Sequence, residues 1–463
     1  MPETPRLAPV LDRLAEGEEA ALGRLLALLR IPSISTDPAH AADCRAAAEL
    51  LAADLRSLGA EAEVRPTAGL PTVVGRIGPE DAAPHVLFYG HSDVQPVDPL
   101  TLWHRGPFDP AVEDAPGGPV IRGRGASDDK GQLMTFVEAC RAWTSVHGGV
   151  PCRITFLFEG EEESGSPSLV PFLKENADEL RADYALICDT GLLADDAPAI
   201  VTTLRGLVGE EVTITGPALD LHSGSYGGAA ANPARALARA IAGLHDADGR
   251  VTLPGFYDGV PEVDPEVLRS WEATPFDPDG FLRDVGLSVP AGERGRSVLE
   301  MVWARPTCEV NGLLSGYAGP GFKTVLPSRA VAKVSFRLVG DQNPEAVRAA
   351  FRAHVRASIP ADCTAAFASH GGAPASRMPH DLPAMERVRA ALSAEWPHEA
   401  ALIGSGGSIP IAGHFLDLLG MPSILAGFGR DDDAIHSPNE RYDVRSFTKG
   451  ARSWARVLDA ITA

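Results

Sequence analysis

Short apolar runs that stop on glycine, imidazole or carboxylate side chains, with helical stretches between them, limit what this chain can fold into. HVLFYG (85–90), CRITFLFEG (152–160) and YALICD (184–189) are rich in β-branched and aromatic residues and have strand length. Leu11, Leu14, Leu22, Leu25, Leu26 and Leu29 recur at helical spacing ahead of Pro32, a second helical stretch covers about 41–58 and stops at Gly59, and another follows Gly131. Strand, loop, helix, strand is the grammar of an α/β fold, in which ligands collect where strands end and loops begin.

Beyond Arg205-Gly206 the pattern changes. EVTITG, a His/Gly-rich loop, a helix from about Pro233, a Pro/Asp-rich stretch from Pro254 to Pro278, the strand AVAKVSFRLV and the helix PEAVRAAFRAHVRA follow in turn. α/β features return after about His380 in SIPIAGHF and PSILAGFG. The expected organisation is a first domain built from 1–206 and 381–463, with a separate α+β unit, 207–380, inserted into it.

Charge narrows the function. With 41 Lys+Arg against 62 Asp+Glu in 463 residues, the formal net charge is −21 and there is no basic run. A nucleic-acid platform or an anionic-membrane binder needs clustered cations, so neither is expected. No apolar run is long enough to span a bilayer, and the first thirty residues lack the pattern of a secretory leader, so a cytoplasmic location is expected. Six cysteines lie far apart without a Cys-x-x-Cys pair and read as buried free thiols.

The chemistry-bearing residues follow the apolar runs. His91 and Asp93 in GHSDVQP are two apart and face one side of an extended backbone, either as a hydrogen-bonded pair or as a ligand with its orienting carboxylate. Asp128-Asp129 in GRGASDDKGQ lies in a glycine-rich turn ahead of a helix, where one acid could simply cap. The lysine that follows has no Ser/Thr after it, so a phosphate loop is rejected. Glu161, Glu162 and Glu163 form either a solvated acidic turn or a cation site, Asp189 ends another buried run, and His436 follows a glycine loop. Taken together, two imidazoles and three carboxylates propose a metal centre, and five ligands exceed what one catalytic zinc with an open position needs. Two ions are expected.

The ordered set GHSDVQP, GRGASDDKG, EGEEESGS, ICDTG, DLHSGSYGG and IHSPNE resembles the carnosinase and cytosolic non-specific dipeptidase branch of the di-zinc metallopeptidases, relatives of aminoacylase, acetylornithine deacetylase and glutamate carboxypeptidase. The likeness runs from about residue 30 to 455. It implies a catalytic α/β domain with a central, mostly parallel sheet and an inserted lid and dimerisation domain. By that resemblance His91 and His436 are terminal ligands to separate metals, Asp128 bridges both, and Glu163 and Asp189 complete the set, one on each ion. Glu162 is the implied general base, Asp93 orients His91, and the Asp128-Asp129 peptide is cis. His222 resembles the histidine that a partner subunit supplies to polarise the scissile carbonyl, so a homodimer is implied. Zinc is the expected ion, with manganese and cobalt accepted by the same donors.

Substrate selection departs from the pattern. Relatives often carry Arg-Glu-Gly-Gly-Ser-Ile-Pro, whereas this chain has Gly404 and Ser405 in place of Arg-Glu and so lacks a bidentate clamp there. Backbone N–H groups of Gly406, Gly407 and Ser408 remain as an anion cradle, and Thr324 and His370 resemble lid residues that contact the same end of the substrate. The expected activity is metal-dependent hydrolysis of the amide bond of dipeptides or short peptides. A deacylase of N-acyl amino acids shares the metal core, and a metal-binding or interaction protein without turnover shares the ligands but has no use for Glu162.

Overall fold

Strand His85–His91 is buried on both faces, and the rest of the first layer follows from that. Val86 and Phe88 point to one side, where Phe136 stacks on Phe88 at 3.8 Å between ring centroids and Trp454 meets it edge-on. Leu87 and Tyr89 point to the other, among Leu169, Phe172 and Phe415. Each such aromatic contributes about 1.5–3 kcal/mol by leaving water. A strand apolar on both faces needs helices on both. Lys130–His147 and Val444–Ile461 cover the first side, and Leu169–Glu175 and Pro410–Leu419 the second.

The computed structural model describes residues 4–194, 196–378, 382–407 and 409–463. Its largest sheet runs Glu61–Arg65, Thr72–Ile77, Arg153–Glu159, His85–His91, Tyr184–Ile187, Ser423–Leu425, Ala199–Leu204, Ser376–Arg377, with Ala401–Ser405 also paired to Ala199–Leu204. The class is mixed α/β. The four middle strands, from Arg153–Glu159 to Ser423–Leu425, are mutually parallel, while Glu61–Arg65, Thr72–Ile77 and Ser376–Arg377 join antiparallel. For the first two strands the physical reason is connection length: they are separated only by residues 66–71, too few for the crossover that parallel pairing demands.

After Leu204 the chain enters a second, fully antiparallel sheet ordered Thr307–Ser315, Arg329–Leu338, Gly206–Thr215, Thr364–Ala373. Val208, Val212 and Ile214 alternate with partly exposed residues, as do Ala330, Ala332, Val334 and Phe336, so one face is apolar and is covered by helices Pro233–Ala242 and Pro344–Ser358. Its edge strand Thr307–Ser315 leaves Leu313 and Leu314 54% and 65% exposed, and Phe322 beyond it is 90% exposed. All six cysteines are buried and free. No helix among the described residues is long and apolar enough to cross a membrane.

Candidate metal centre

Parallel neighbours deliver their C-terminal ends to one edge. Because Arg153–Glu159, His85–His91 and Tyr184–Ile187 lie side by side, the Glu161–Glu163 turn, the His91 ring and the Asp189 carboxylate emerge together. Asp128 arrives from the turn ahead of helix Lys130–His147, across a cis Asp128-Asp129 peptide. His436 comes from the loop between Ser423–Leu425 and Arg441–Asp443, at φ 61°, a left-handed conformation that only a firmly held loop retains in a non-glycine residue. That loop is held by Asp433, whose carboxylate accepts from Ser127 Oγ at 2.7 Å and from the Arg430 N–H at 2.8 Å.

Asp128 stands between the two imidazoles. Its Oδ1 is 3.0 Å from His91 Nε2 and its Oδ2 is 2.8 Å from His436 Nε2. Asp189 Oδ2 is 4.0 Å from His91 Nε2, and Glu163 Oε2 is 3.2 Å from His436 Nε2. Two groups result, His91–Asp128–Asp189 and Asp128–Glu163–His436, each with its donor atoms within 4.8 Å of one another and with Asp128 in common. The Nδ1 of His91 lies 3.2 Å from the Asp93 carbonyl oxygen and 3.5 Å from its carboxylate, a contact that directs Nε2 toward Asp128. Both carboxylate oxygens of Asp93 also accept, from the N–H groups of Glu162 and Glu163 at 3.2 and 3.0 Å.

The donor set fits divalent cations on its electrostatics. Among the described residues, the only cationic groups that pair with Asp128, Asp189 and Glu163 are the imidazoles of His91 and His436. With Glu162 these three acids make four carboxylates, which cannot all stay ionised away from water on that support. Burial, reinforced by Asp128, pushes Asp189 up to about 7, although His91 opposes it. Burial likewise pushes Glu162 up to about 8, with His91 opposing and Asp189 and Glu163 adding. Hydrogen bonds to Asp128 and Glu163 raise His436 to about 10. For Asp128 burial acts upward, but its bonds to His436 and His91 outweigh it and hold the carboxyl below the usual range. Protons thus occupy a place that cations of higher charge fill better.

Two supporting residues went unnoticed in the sequence, although both lie inside the quoted motifs. Gln95 Nε2 donates to Glu163 Oε2 at 2.7 Å. Glu440, fully buried, accepts from Arg124 Nη1 at 2.7 Å and from the N–H groups of Gly125, Ser127 and Asp128 at 3.0, 3.0 and 3.1 Å, which fixes the turn that presents Asp128.

A cavity of about 390 Å³ opens from Asp128, Glu162, Asp189 and His436 and ends against the stretch Gly404–Gly407. Gly406 and Gly407 line it, but the Gly407 N–H already donates to Ser405 Oγ at 3.1 Å, while the Gly406 and Gly407 carbonyls accept from Arg205 Nε and N. Ser408 lies outside the described residues. His222, Thr324 and His370 are exposed or half-exposed and do not line this cavity. The Ser223 N–H bonds to the Thr324 carbonyl, so His222 and Thr324 are neighbours, beyond the Thr215 end of strand Gly206–Thr215. His370 sits opposite Gly209, six residues back, about 20 Å away along a strand. His222 Nδ1 accepts from the Gly224 N–H at 3.0 Å, which leaves the ring proton on Nε2.

The sequence profile of peptidase family M20/M25/M40 matches residues 87–460. The Cys-Gly metallodipeptidase dug1 of Schizosaccharomyces pombe is 29% identical over 98% of both chains. A cysteinylglycine-S-conjugate dipeptidase of Corynebacterium striatum is 30% identical over 93% of both. The crystal structure of human carnosine dipeptidase 1 superposes with a TM-score of 0.86 at 25% identity, covering 100% of both chains.

Proposed function

The chain belongs to peptidase family M20/M25/M40, and from that premise we propose that it is a metal-dependent dipeptidase of the carnosinase and cytosolic dipeptidase branch. The single observation that carries the reading is the pair of three-donor groups sharing Asp128, with Glu162 beside them on the cavity wall. Among the described residues no hydrogen bond or ion pair engages the Glu162 carboxylate, so it is free to move a proton. His91, Asp189 and Asp128 would hold one divalent ion, and Asp128, Glu163 and His436 a second, zinc in the first place. Such ions supply Lewis acidity toward water and the scissile carbonyl.

Glu162 takes a proton from the attacking water and returns it to the leaving amine, a role worth about 10²–10⁴-fold. Asp93 holds His91 on one side and the Glu162 and Glu163 backbone on the other, which sets base and ligands in register. Residues 207–380 act as lid and dimerisation unit. The homodimer reading is supported by the absence of His222 from the residues that line the cavity and by the exposed apolar side chains Leu313 and Leu314 on an edge strand paired on one side only, with Phe322 beyond it, a surface that a second copy would cover. His222 Nε2–H from that second copy would then donate to the developing oxyanion. Six reduced, buried thiols suit the cytoplasm.

Metal-replete wild type and Glu162→Gln are compared on dipeptides and on N-acetyl and N-succinyl amino acids, with metal content measured per chain. Dipeptide turnover that falls about 10²–10⁴-fold in Glu162→Gln at unchanged metal content is the expected result. Turnover of acylated amino acids alone, or of no amide at all, overturns it. For the shared site, mixing inactive Glu162→Gln and His222→Ala proteins should restore activity through mixed dimers; mixtures that stay inactive reject the partner role of His222.

A further inference from the structure

The cavity has two chemically distinct ends. One carries Asp128, Glu162, Asp189 and His436; the other is walled by Phe276, Phe281, Leu299, Val302 and Trp303, presented by the 207–380 unit, against the bare backbone of Gly404 from the central sheet. Apart from the groups at the metal end, Asp431 is the only charged residue that lines it among the described residues. Trp303 is held in place: it packs edge-on against Trp271 at 5.1 Å, and Trp271 Nε1 is tied to the Leu402 carbonyl at 3.2 Å. Phe276 and Phe281 lie 5.5 Å apart, ring to ring.

The missing arginine at position 404 has a cause in this packing. A Cβ on Gly404 would stand 2.6 Å from the Trp303 Cβ and 2.9 Å from Thr203 Oγ1, so no side chain fits there and the space is taken by the indole. The wall beside Gly404 is therefore hydrocarbon. A charged or amide side chain packed against Phe276, Phe281, Leu299, Val302 and Trp303 loses its water without gaining a partner from them, whereas an apolar one gains by leaving water.

We propose that this wall is a side-chain subsite that selects dipeptides carrying an apolar residue of the Leu, Met or Phe class beside the scissile bond, an assignment that rests on the dipeptidase reading above. Trp303, Val302 and Phe281 are its specificity-determining residues, and its occupant is one of the two substrate side chains.

The test uses isosteric pairs, Leu/Asn, Met/Gln and Val/Thr, each in an X-Gly and a Gly-X series. Turnover is read on metal-replete wild type, and equilibrium binding of the intact dipeptides on metal-replete Glu162→Gln. In one of the two series the apolar member should lead by about 10-fold or more in kcat/KM and in binding. Phe281→Ser, at a residue already 41% exposed, and Val302→Thr should each shrink that ratio at least about threefold, whereas a purely structural role would scale both members alike. Ratios near one in both series, or ratios unmoved in both variants, overturn the subsite. Apolar preference in binding without turnover by wild type upholds the subsite and overturns the dipeptidase reading instead.

Discussion

Replacing Glu440 by glutamine tests whether the metal end is set by a residue that never touches it. Glu440 is the counter-charge of Arg124, whose side chain is only 2% exposed, and it also accepts from three backbone donors, Gly125, Ser127 and Asp128, of the turn that ends in Asp128. Glutamine keeps the shape but removes the charge, so Arg124 is left buried beside a neutral amide. Breaking a buried pair from one side costs about 3–5 kcal/mol, and loosening an outer-shell support typically lowers metal affinity about 10–100-fold. Arg124 keeps two other contacts, its Nη2 to the Pro96 carbonyl at 3.0 Å and its position over the Trp103 ring, so Arg124→Met has its own cost. The double variant should nevertheless unfold at a higher denaturant concentration than Glu440→Gln alone, because no unpaired cation remains. Denaturant titrations of metal-stripped protein give the four stabilities of the cycle, and chelator competition gives metal affinity. A Glu440→Gln protein that loses less than about 1 kcal/mol and holds metal like wild type would refute the reasoning, as would additive single effects.

Loading stripped protein with zinc should release protons and tighten as pH rises from 6 to 9: His436 at about 10 and Asp189 at about 7 hold protons that ligation must displace, so acid competes with metal. Calorimetry in two buffers of different ionisation enthalpy measures the release; a loading that is independent of pH contradicts it. In the stripped protein the raised His436 pKa adds stability that is full below about 6.5 and is lost as pH climbs through about 10, a trend that thermal melts over pH 6–10 check. Gly404→Ala should cost about 1–3 kcal/mol because its Cβ collides with the Trp303 Cβ and Thr203 Oγ1, and Trp303→Gly, which removes the Cβ that alanine would keep, should relieve part of that cost in the double variant; denaturation midpoints of the set decide.

Why so much of the metal end was legible in the sequence is a matter of topology. His91 ends one strand and Asp189 lies just beyond its parallel neighbour, and the Glu162–Glu163 turn follows a third, so chain-distant motifs become neighbours once the strands pair. His436 was legible only as part of a set, since its loop is anchored through Asp433 and Glu440 to the Ser127–Asp128 turn some three hundred residues earlier in the chain. The apolar wall was not legible. Its residues lie on a loop at Phe276 and on short helical turns such as Pro278–Arg283 and Glu300–Ala304, too brief to show a period, and the Trp303–Gly404 contact spans a hundred residues. The antiparallel flank of the large sheet was likewise hidden, because the hairpin depends on how short residues 66–71 are rather than on any residue type.

Asp93 limits how freely this site can adapt. A single carboxylate faces the His91 ring and clasps the peptide N–H groups of both Glu162, the proposed base, and Glu163, a proposed ligand, so their spacing is inherited rather than independently adjustable. Variation that alters this enzyme's chemistry therefore has little room at that end of the cleft, and diversification is channelled to the far wall, whose side chains can change without disturbing the reacting groups.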